Sequence, residues 1–242
     1  MGYWGYASFL GHQSIEYPMD ARSVTFDQLD SFRDLHLILL KTEETPPQPK
    51  LNRIDIPGAN GSRDMSEQPA GRIVFTDREF TWTFGLYPND RWEQRHRQVC
   101  NALNGRFCEH ITMPFRGGYA DDFYFVGRLS VTKYKRDRTR REITVKAVCD
   151  PYAYEKFEVN DTYDLTTDSR EITYYTGRMP VVPSLTTTAE ETTILFKGKT
   201  FVMSAGTYQF PDIEFTEGEN TMEAKVTDGT GSLNVKYRGG TL

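Results

Sequence analysis

The stretch Arg53-Ile54-Asp55-Ile56-Pro57-Gly58-Ala59-Asn60-Gly61, continuing as Ser62-Arg63-Asp64-Met65-Ser66-Glu67, decides how this chain is read. Ile54 and Ile56 mark a short strand that stops at Pro57-Gly58. The next residues need unusual backbone angles, which Gly58 and Gly61 supply and Asn60 tolerates. No nucleophile, base or metal-ligand spacing lies here, so the segment is shaped backbone. Ile56, Pro57, Gly58, Gly61 and Asp64 are the candidate residues of this loop.

Read as IDIPG-x-x-G-x-x-D-x-x-E, the order resembles the signature loop of the phage distal tail protein (Dit) family. Three other places share the likeness: Ser31-Phe32-Arg33-Asp34-Leu35-His36-Leu37, Asn104-Gly105, and Cys149-Asp150-Pro151-Tyr152-Ala153-Tyr154. The likeness runs from about Ser23 to the C-terminus and is strongest over residues 32–67 and 149–154. Residues 1–22 form a variant lead-in, whose Tyr3, Trp4, Tyr6 and Phe9 are expected to pack on the main domain or on a neighbouring subunit.

The resemblance implies a structural protein of long, non-contractile (siphovirus-type) phage tails or prophages, not an enzyme. It implies an N-terminal domain with a β-sandwich, one helix and an extended hairpin, through which six copies close into a ring, with Ile56, Pro57, Gly58, Gly61 and Asp64 in a loop at or near a subunit contact. It also implies a C-terminal galectin-like β-sandwich outside that ring. The implied partners are the chain itself, the tail tube protein and the tail-tip protein, with tape-measure and receptor-binding proteins adjoining. The implied place is the virion tail tip, after assembly in the host cytoplasm.

Composition agrees with a mainly β chain. Of 242 residues, 13% are aromatic, and Tyr and Phe dominate them. Such side chains suit pleated surfaces. A net charge of -5 excludes a general nucleic-acid binder, which needs a basic footprint. Residues 1–152 carry 21 basic and 20 acidic side chains, whereas residues 153–242 carry 8 and 14. That shift predicts two domains, 1–152 (ring-forming, with the lead-in) and 153–242.

Three cysteines, Cys100, Cys108 and Cys149, form an odd set without close pairing, as in free thiols of a reducing compartment. No apolar run is long enough for a membrane helix. The N-terminus lacks the pattern of a signal peptide, and Gly2 lacks the full myristoylation motif.

Periodicity predicts strands at 23–26, 35–41 and 53–56, and a long or bent strand over 71–86 broken at Thr76-Asp77. Glu43 to Pro49 is expected to be a loop with three prolines. Asp90 is placed to cap a helix over 91–103, with Trp92, Val99, Cys100 and Leu103 on its apolar stripe, Arg91, Arg95 and Arg97 on a basic face, and Asn104-Gly105 at its end. Residues 123–134 and 142–149 form a long hairpin. Its tip carries Arg136, Arg138, Arg140 and Arg141, a second candidate interface. Beyond residue 152 short strands are expected at 173–175, 192–196, 199–203, 206–210, 212–215, 220–226 and 233–237, the spacing of a small antiparallel sandwich. The ending from Tyr237 is read as a last strand and a docked tail.

A search for chemistry gives little. Asp121-Asp122 point to opposite faces of a strand and read as a solvated loop, and nothing pairs either with Glu109 or Asp64 for glycosidase work. Cys108-x-His110 with His96 and Cys100 lacks the paired spacing of structural zinc sites. No G-x-S-x-G, H-E-x-x-H or P-loop occurs. No enzyme activity, metal or cofactor is expected. The alternative function is a carbohydrate-binding sandwich that contributes to host-surface recognition, with Tyr174, Tyr175, Tyr208 and Tyr237 as available aromatics. A polysaccharide hydrolase ranks below it for want of a catalytic constellation.

Overall fold

The computed structural model describes the backbone of residues 4–9 and 13–18 and, in full, residues 23–86, 91–113, 122–136 and 141–242. The chain divides into two compact units, 1–153 and 154–242. It is mainly β, with antiparallel sheets throughout.

The first unit opens with β1 (Trp4–Phe9) and β2 (Gln13–Pro18), an antiparallel pair. The packing expected of Tyr3, Trp4, Tyr6 and Phe9 lies outside the described residues. There follow β3 (Thr25–Phe26), β4 (Leu29–Asp30), β5 (Leu37–Thr45), β6 (Arg53–Asp55), β7 (Ser62–Asp64), β8 (Arg78–Leu86), α1 (Trp92–Leu103), β9 (Phe107–Thr112), β10 (Phe123–Arg136) and β11 (Arg141–Cys149). Seven of these strands lie side by side in the order β4-β3-β9-β10-β11-β8-β5.

That sheet curls over its own core. Strands sit about 4.8 Å apart, so a flat sheet would hold β3 roughly 19 Å from β8. Yet the rings of Phe26 on β3 and Trp82 on β8 are 5.5 Å apart, edge to face. Register shifts at Phe125/Gly127, Val131/Lys133 and Leu39/Lys41 supply the bends, since an extra residue increases local twist and curvature. Along β8, Phe80, Trp82, Phe84 and Leu86 alternate inward with half-exposed residues. Each such side chain contributes about 1.5–3 kcal/mol on burial. Gly127 lets strands close up over this core: a Cβ there would stand 2.5 Å from Val148 O and 2.6 Å from Cys149 Sγ.

Helix α1 buries Val99 and Leu103, while Trp92 packs partly buried against the same core. Asp90, the expected cap, lies outside the described residues; Arg91 occupies the cap position and its side chain does not cap the helix. Gly105 leaves the helix at φ +80°, the left-handed exit that its sequence called for.

Some boundaries differ from expectation. His36 takes φ +53°, so residues 31–36 stay a turn and β5 starts at Leu37. β5 then runs on to Thr45, because Glu43, Glu44 and Thr45 pair with Thr81, Phe80 and Glu79. Residues 71–77 do not extend β8; only Phe75 forms a bridge, to Pro49.

The chain leaves the first unit through a buried polar anchor. Arg78, 3% exposed, pairs with Glu44 and donates from Nε and Nη2 to Pro151 O, each at 3.2 Å. Its guanidinium also lies 5.3 Å from the Phe125 ring centroid.

The second unit follows β12 (Ala153–Glu155) with β13 (Val159–Leu165), β14 (Arg170–Thr176), β15 (Ser184–Thr187), β16 (Thr192–Phe196), β17 (Lys199–Met203), β18 (Gly206–Tyr208), β19 (Gly218–Val226), β20 (Gly231–Tyr237) and β21 (Gly240–Thr241). Two four-stranded sheets, β13-β20-β15-β18 and β14-β19-β16-β17, enclose one core that includes Leu185, Ile194, Phe196, Met222 and Val235. Tyr174 and Tyr237, one from each sheet, meet edge to face at 5.4 Å. Residues 212–215 form no strand, although Phe215 bridges Val181. Asn220, 2% exposed, ties the 216–220 turn together: its side chain accepts from Thr216 N and donates to Thr176 Oγ1, Thr216 O and Gly218 O.

Candidate functional site

β5 and β8 are antiparallel neighbours joined by residues 46–77, and Thr45 faces Glu79 where that excursion begins and ends. The segment therefore leaves and returns at one place, as an arm. Near its root Lys50 N donates to Val74 O and Thr76 N to Gln48 O, both at 2.8 Å. Farther out Met65 N donates to Asn52 O at 2.7 Å and Asn52 N to Ser66 Oγ at 2.8 Å. The hairpin β6–β7 follows, with Arg53, Ile54 and Asp55 facing Asp64, Arg63 and Ser62.

The signature residues build the end of this arm. Ala59 N donates to Ile56 O at 3.1 Å, with Pro57 and Gly58 between them and Gly58 at φ +84°. This is a type II turn, which favours proline at its second position and needs positive φ at its third. Gly61, at φ +74°, turns the chain back into β7. A Cβ at either glycine would meet nothing within 4 Å, so both are required for backbone angle and not for room. Asp64 Oδ1 accepts from the Ser66 hydroxyl and from Ser66 N at 2.9 Å. Those bonds hold its carboxyl below the ordinary range and commit it to the turn after β7.

The arm has almost no interior. Every residue from Gln48 to Gly61 is exposed, and Ser66 is the sole buried residue between 46 and 77. Leu51 is 62% exposed, Ile54 48%, Ile56 45% and Val74 37%. A two-stranded hairpin is marginal by itself, and this one presents its aliphatic side chains to water. Sequence inspection named Ile56 as a candidate contact residue and Ile54 only as a strand marker, and passed over Leu51 and Val74. Ile54 and Ile56 alternate inside a segment that has no second layer to cover it.

The second candidate is placed differently. Arg136 and Arg141 face each other at the end of β10–β11; Arg138 and Arg140 lie outside the described residues. Arg141 sits over the Trp92 ring at 4.4 Å, and Arg136 pairs with Glu93 at 3.3 Å. Tyr134 stacks on His96 at 4.1 Å. The hairpin end thus rests on α1.

The remaining candidates do not converge. Cys108 is buried, whereas His110 is exposed and packs on Tyr124. His96 Nε2 is 3.3 Å from Cys100 Sγ on α1. Among the described residues no three His, Cys, Asp or Glu side chains are placed to hold a metal. Burial pushes the Cys108 thiol up to about 11 and the Cys149 thiol to about 12, the state of inert core thiols. Asp122 and Glu109 are exposed, and Asp121 lies outside the described residues. Tyr174 and Tyr237 belong to the second core and Tyr208 stacks on Phe210. Tyr175 alone of the four tyrosines stands open, 75% exposed, and donates its hydroxyl to Glu219 at 3.0 Å.

No family model matches the chain, and no curated protein does. Among solved structures it is similar to the crystal structure of the SPP1 Dit (gp 19.1) protein, described as a paradigm of the hub adsorption apparatus in phages that infect Gram-positive bacteria. The TM-score is 0.60 at 14% identity, over 90% of this chain and 98% of that one. At that identity the likeness shows a shared fold.

Proposed function

We propose that this chain is a phage tail-tip hub, a distal tail protein whose first unit closes with five further copies into a ring. The ring joins the tail tube to the tail-tip protein and carries the receptor-binding apparatus. Two supports meet here: a fold shared with a phage hub protein over nearly the whole chain, and an arm whose shaped, aliphatic end is exposed in the single copy. The arm is the observation that carries the reading. An exposed apolar element of this kind marks an interaction site, and a ring of identical copies requires a head-to-tail contact between two different, mutually complementary patches. The role is structural, without catalysis or cofactor.

Replacing residues 50–72 with a short Gly-Ser turn tests this. The truncated chain is expected to melt like the parent and to lose ring formation and co-purification with co-expressed tail tube and tail-tip proteins. Retention of both by the armless chain would refute the reading.

Glycan binding by the second unit is the alternative, and Tyr175 is the observation that favours it. An open ring fixed by Glu219 beside the hydrogen-bonded Thr173–Thr221 pair offers a stacking face and polar neighbours. A glycan array probed with the full chain and with Tyr175→Ala decides it: loss of binding in the variant supports a sugar site, and no binding by either removes it.

A further inference from the structure

The chain holds two Asn-Gly pairs, Asn60-Gly61 and Asn104-Gly105. In such a pair the backbone nitrogen of the glycine can attack the side-chain amide carbon of the asparagine. Glycine favours the attack because it has no Cβ to obstruct the approach and few restrictions on backbone angle. The structure places the two pairs in opposite circumstances. Asn104-Gly105 is clamped. Gly105 N, the attacking atom, donates to Leu129 O at 2.9 Å. Asn104 Oδ1 accepts from Val131 N at 2.9 Å, which fixes the side-chain amide on the same strand. Gly105 O accepts from Arg128 Nη1 at 2.7 Å.

Asn60-Gly61 stands at the end of the arm, and both residues are exposed. Among the described residues neither the Asn60 side-chain amide nor Gly61 N makes a hydrogen bond. A Cβ at Gly61 would meet nothing within 4 Å. The nucleophile, the amide it attacks and the space around them are therefore open to water.

We propose that Asn60 is a site of spontaneous deamidation, with water as the co-reactant. Gly61 N bonds to Asn60 Cγ, and the side-chain nitrogen leaves as ammonia, taking its last hydrogen from Gly61 N. The product is a succinimide ring. Water then opens the ring at one of its two carbonyls. Opening at the side-chain carbonyl gives aspartate; opening at the main-chain carbonyl gives isoaspartate. Overall an amide and water become a carboxylate and ammonium, and nothing is oxidised or reduced. Either product adds a negative charge to the arm. Isoaspartate also adds a backbone carbon, about 1.5 Å of chain, inside the loop 56–61 whose ends are held by the Asp55–Ser62 pair. The turn at Pro57-Gly58 and the left-handed Gly61 are set for a loop without that carbon.

Peptide mapping of the full chain, aged at pH 8 in native buffer and in urea, tests this. Trypsin cuts after Arg53, Arg63, Arg97 and Arg106, so peptides 54–63 and 98–106 report the two pairs separately. In native buffer peptide 54–63 is expected to gain the mass of an amide-to-acid exchange, and isoaspartate, at least about tenfold faster than 98–106, whose pair must first open two hydrogen bonds. In urea the two rates are expected to converge. Asn60→Gln is expected to remove nearly all of the change in 54–63, because the longer side chain closes a less favoured ring. The effect on assembly rests on the ring reading above: isoaspartate is expected to collect in the unassembled fraction of aged parent, while aged Asn60→Gln assembles like fresh parent. Equal rates at the two pairs in native buffer, a faster change in 98–106, or a gap that persists unchanged in urea overturn the proposal. Isoaspartate shared evenly between rings and monomers overturns its effect on assembly alone. A parent that forms no ring, alone or with tail tube and tail-tip proteins, overturns the ring reading and leaves the modification site standing.

Discussion

Gly58→Val separates the turn's conformational demand from the stability of the body. At φ +84° an L-residue loses about 1–2 kcal/mol, and a β-branched one sits at or beyond the upper end of that range. No steric term is added, because a Cβ at Gly58 meets nothing within 4 Å. At about 1.4 kcal/mol per decade, a penalty near 2 kcal/mol lowers the equilibrium constant for the native turn roughly thirtyfold. With the docking-competent arm being the one with that turn, the apparent dissociation constant for assembly rises by up to that factor. The body is untouched, since residues 48–61 bury nothing. The melting temperature of the isolated chain is therefore expected to move by less than about 2 °C. Light scattering across a dilution series, paired with a melting curve, reads both quantities. Gly58→Asn serves as the conservative variant and is expected to assemble closer to the parent, because Asn tolerates left-handed angles. Parental assembly by Gly58→Val, or a fall of many degrees in melting temperature with assembly unchanged, refutes the reasoning.

Gly127→Ala acts on the body instead. Backbone and sulfur lie within 2.8 Å of the added carbon, so a loss of about 3 kcal/mol is expected in chemical denaturation of the first unit. Arg78→Leu leaves Glu44 and Pro151 O without their buried donor and is expected to cost about 3–5 kcal/mol by the same measurement. Asp27 tests acid sensitivity. Burial raises its carboxyl, but hydrogen bonds from His110 N, Arg106 and Glu109 N outweigh that and leave it lowered. Its contribution is thus present above the unfolded value of about 4 and fades as pH falls through the folded value. Asp27→Asn is expected to be less stable at pH 7 and to show a shallower loss of stability below about pH 4 in urea titrations. For the thiols, a colorimetric reagent at pH 8 is expected to modify Cys100 quickly, and Cys108 and Cys149 only after unfolding, in line with their burial.

The turn was legible in sequence because its determinants are local. Pro57-Gly58 and Gly61 specify angles that few other residues adopt, and the structure puts positive φ at both glycines. The alternation from Phe80 to Leu86 and the stripe on α1 were legible because burial follows a fixed period within one element. The curled sheet was not, because β3 pairs with β9 across more than eighty residues and neither strand announces its partner. β13 was missed because, as an edge strand, it buries only Leu165 and keeps Asn160, Asp161 and Thr162 in solvent. Residues 212–215 misled in the other direction: Ile213 and Phe215 fill the second core from a segment with a single bridge. At the candidate sites, composition marked Arg136 and Arg141 as a basic tip, but their seating on Glu93 and Trp92 depends on how the hairpin folds over α1. The exposure of Ile54 was likewise hidden, since its alternation with Ile56 reads as burial until the missing second layer is seen.

The most direct test of the hub is the solution mass of the purified chain, by light scattering, with negative-stain images of the same peak. Six copies of the 27.9 kDa chain give about 167 kDa, and a six-fold ring with a central hole is expected, either for the chain alone or when it is co-expressed with tail tube and tail-tip proteins, the proposed neighbours. A chain that remains a 27.9 kDa monomer in both settings contradicts the ring and the hub together.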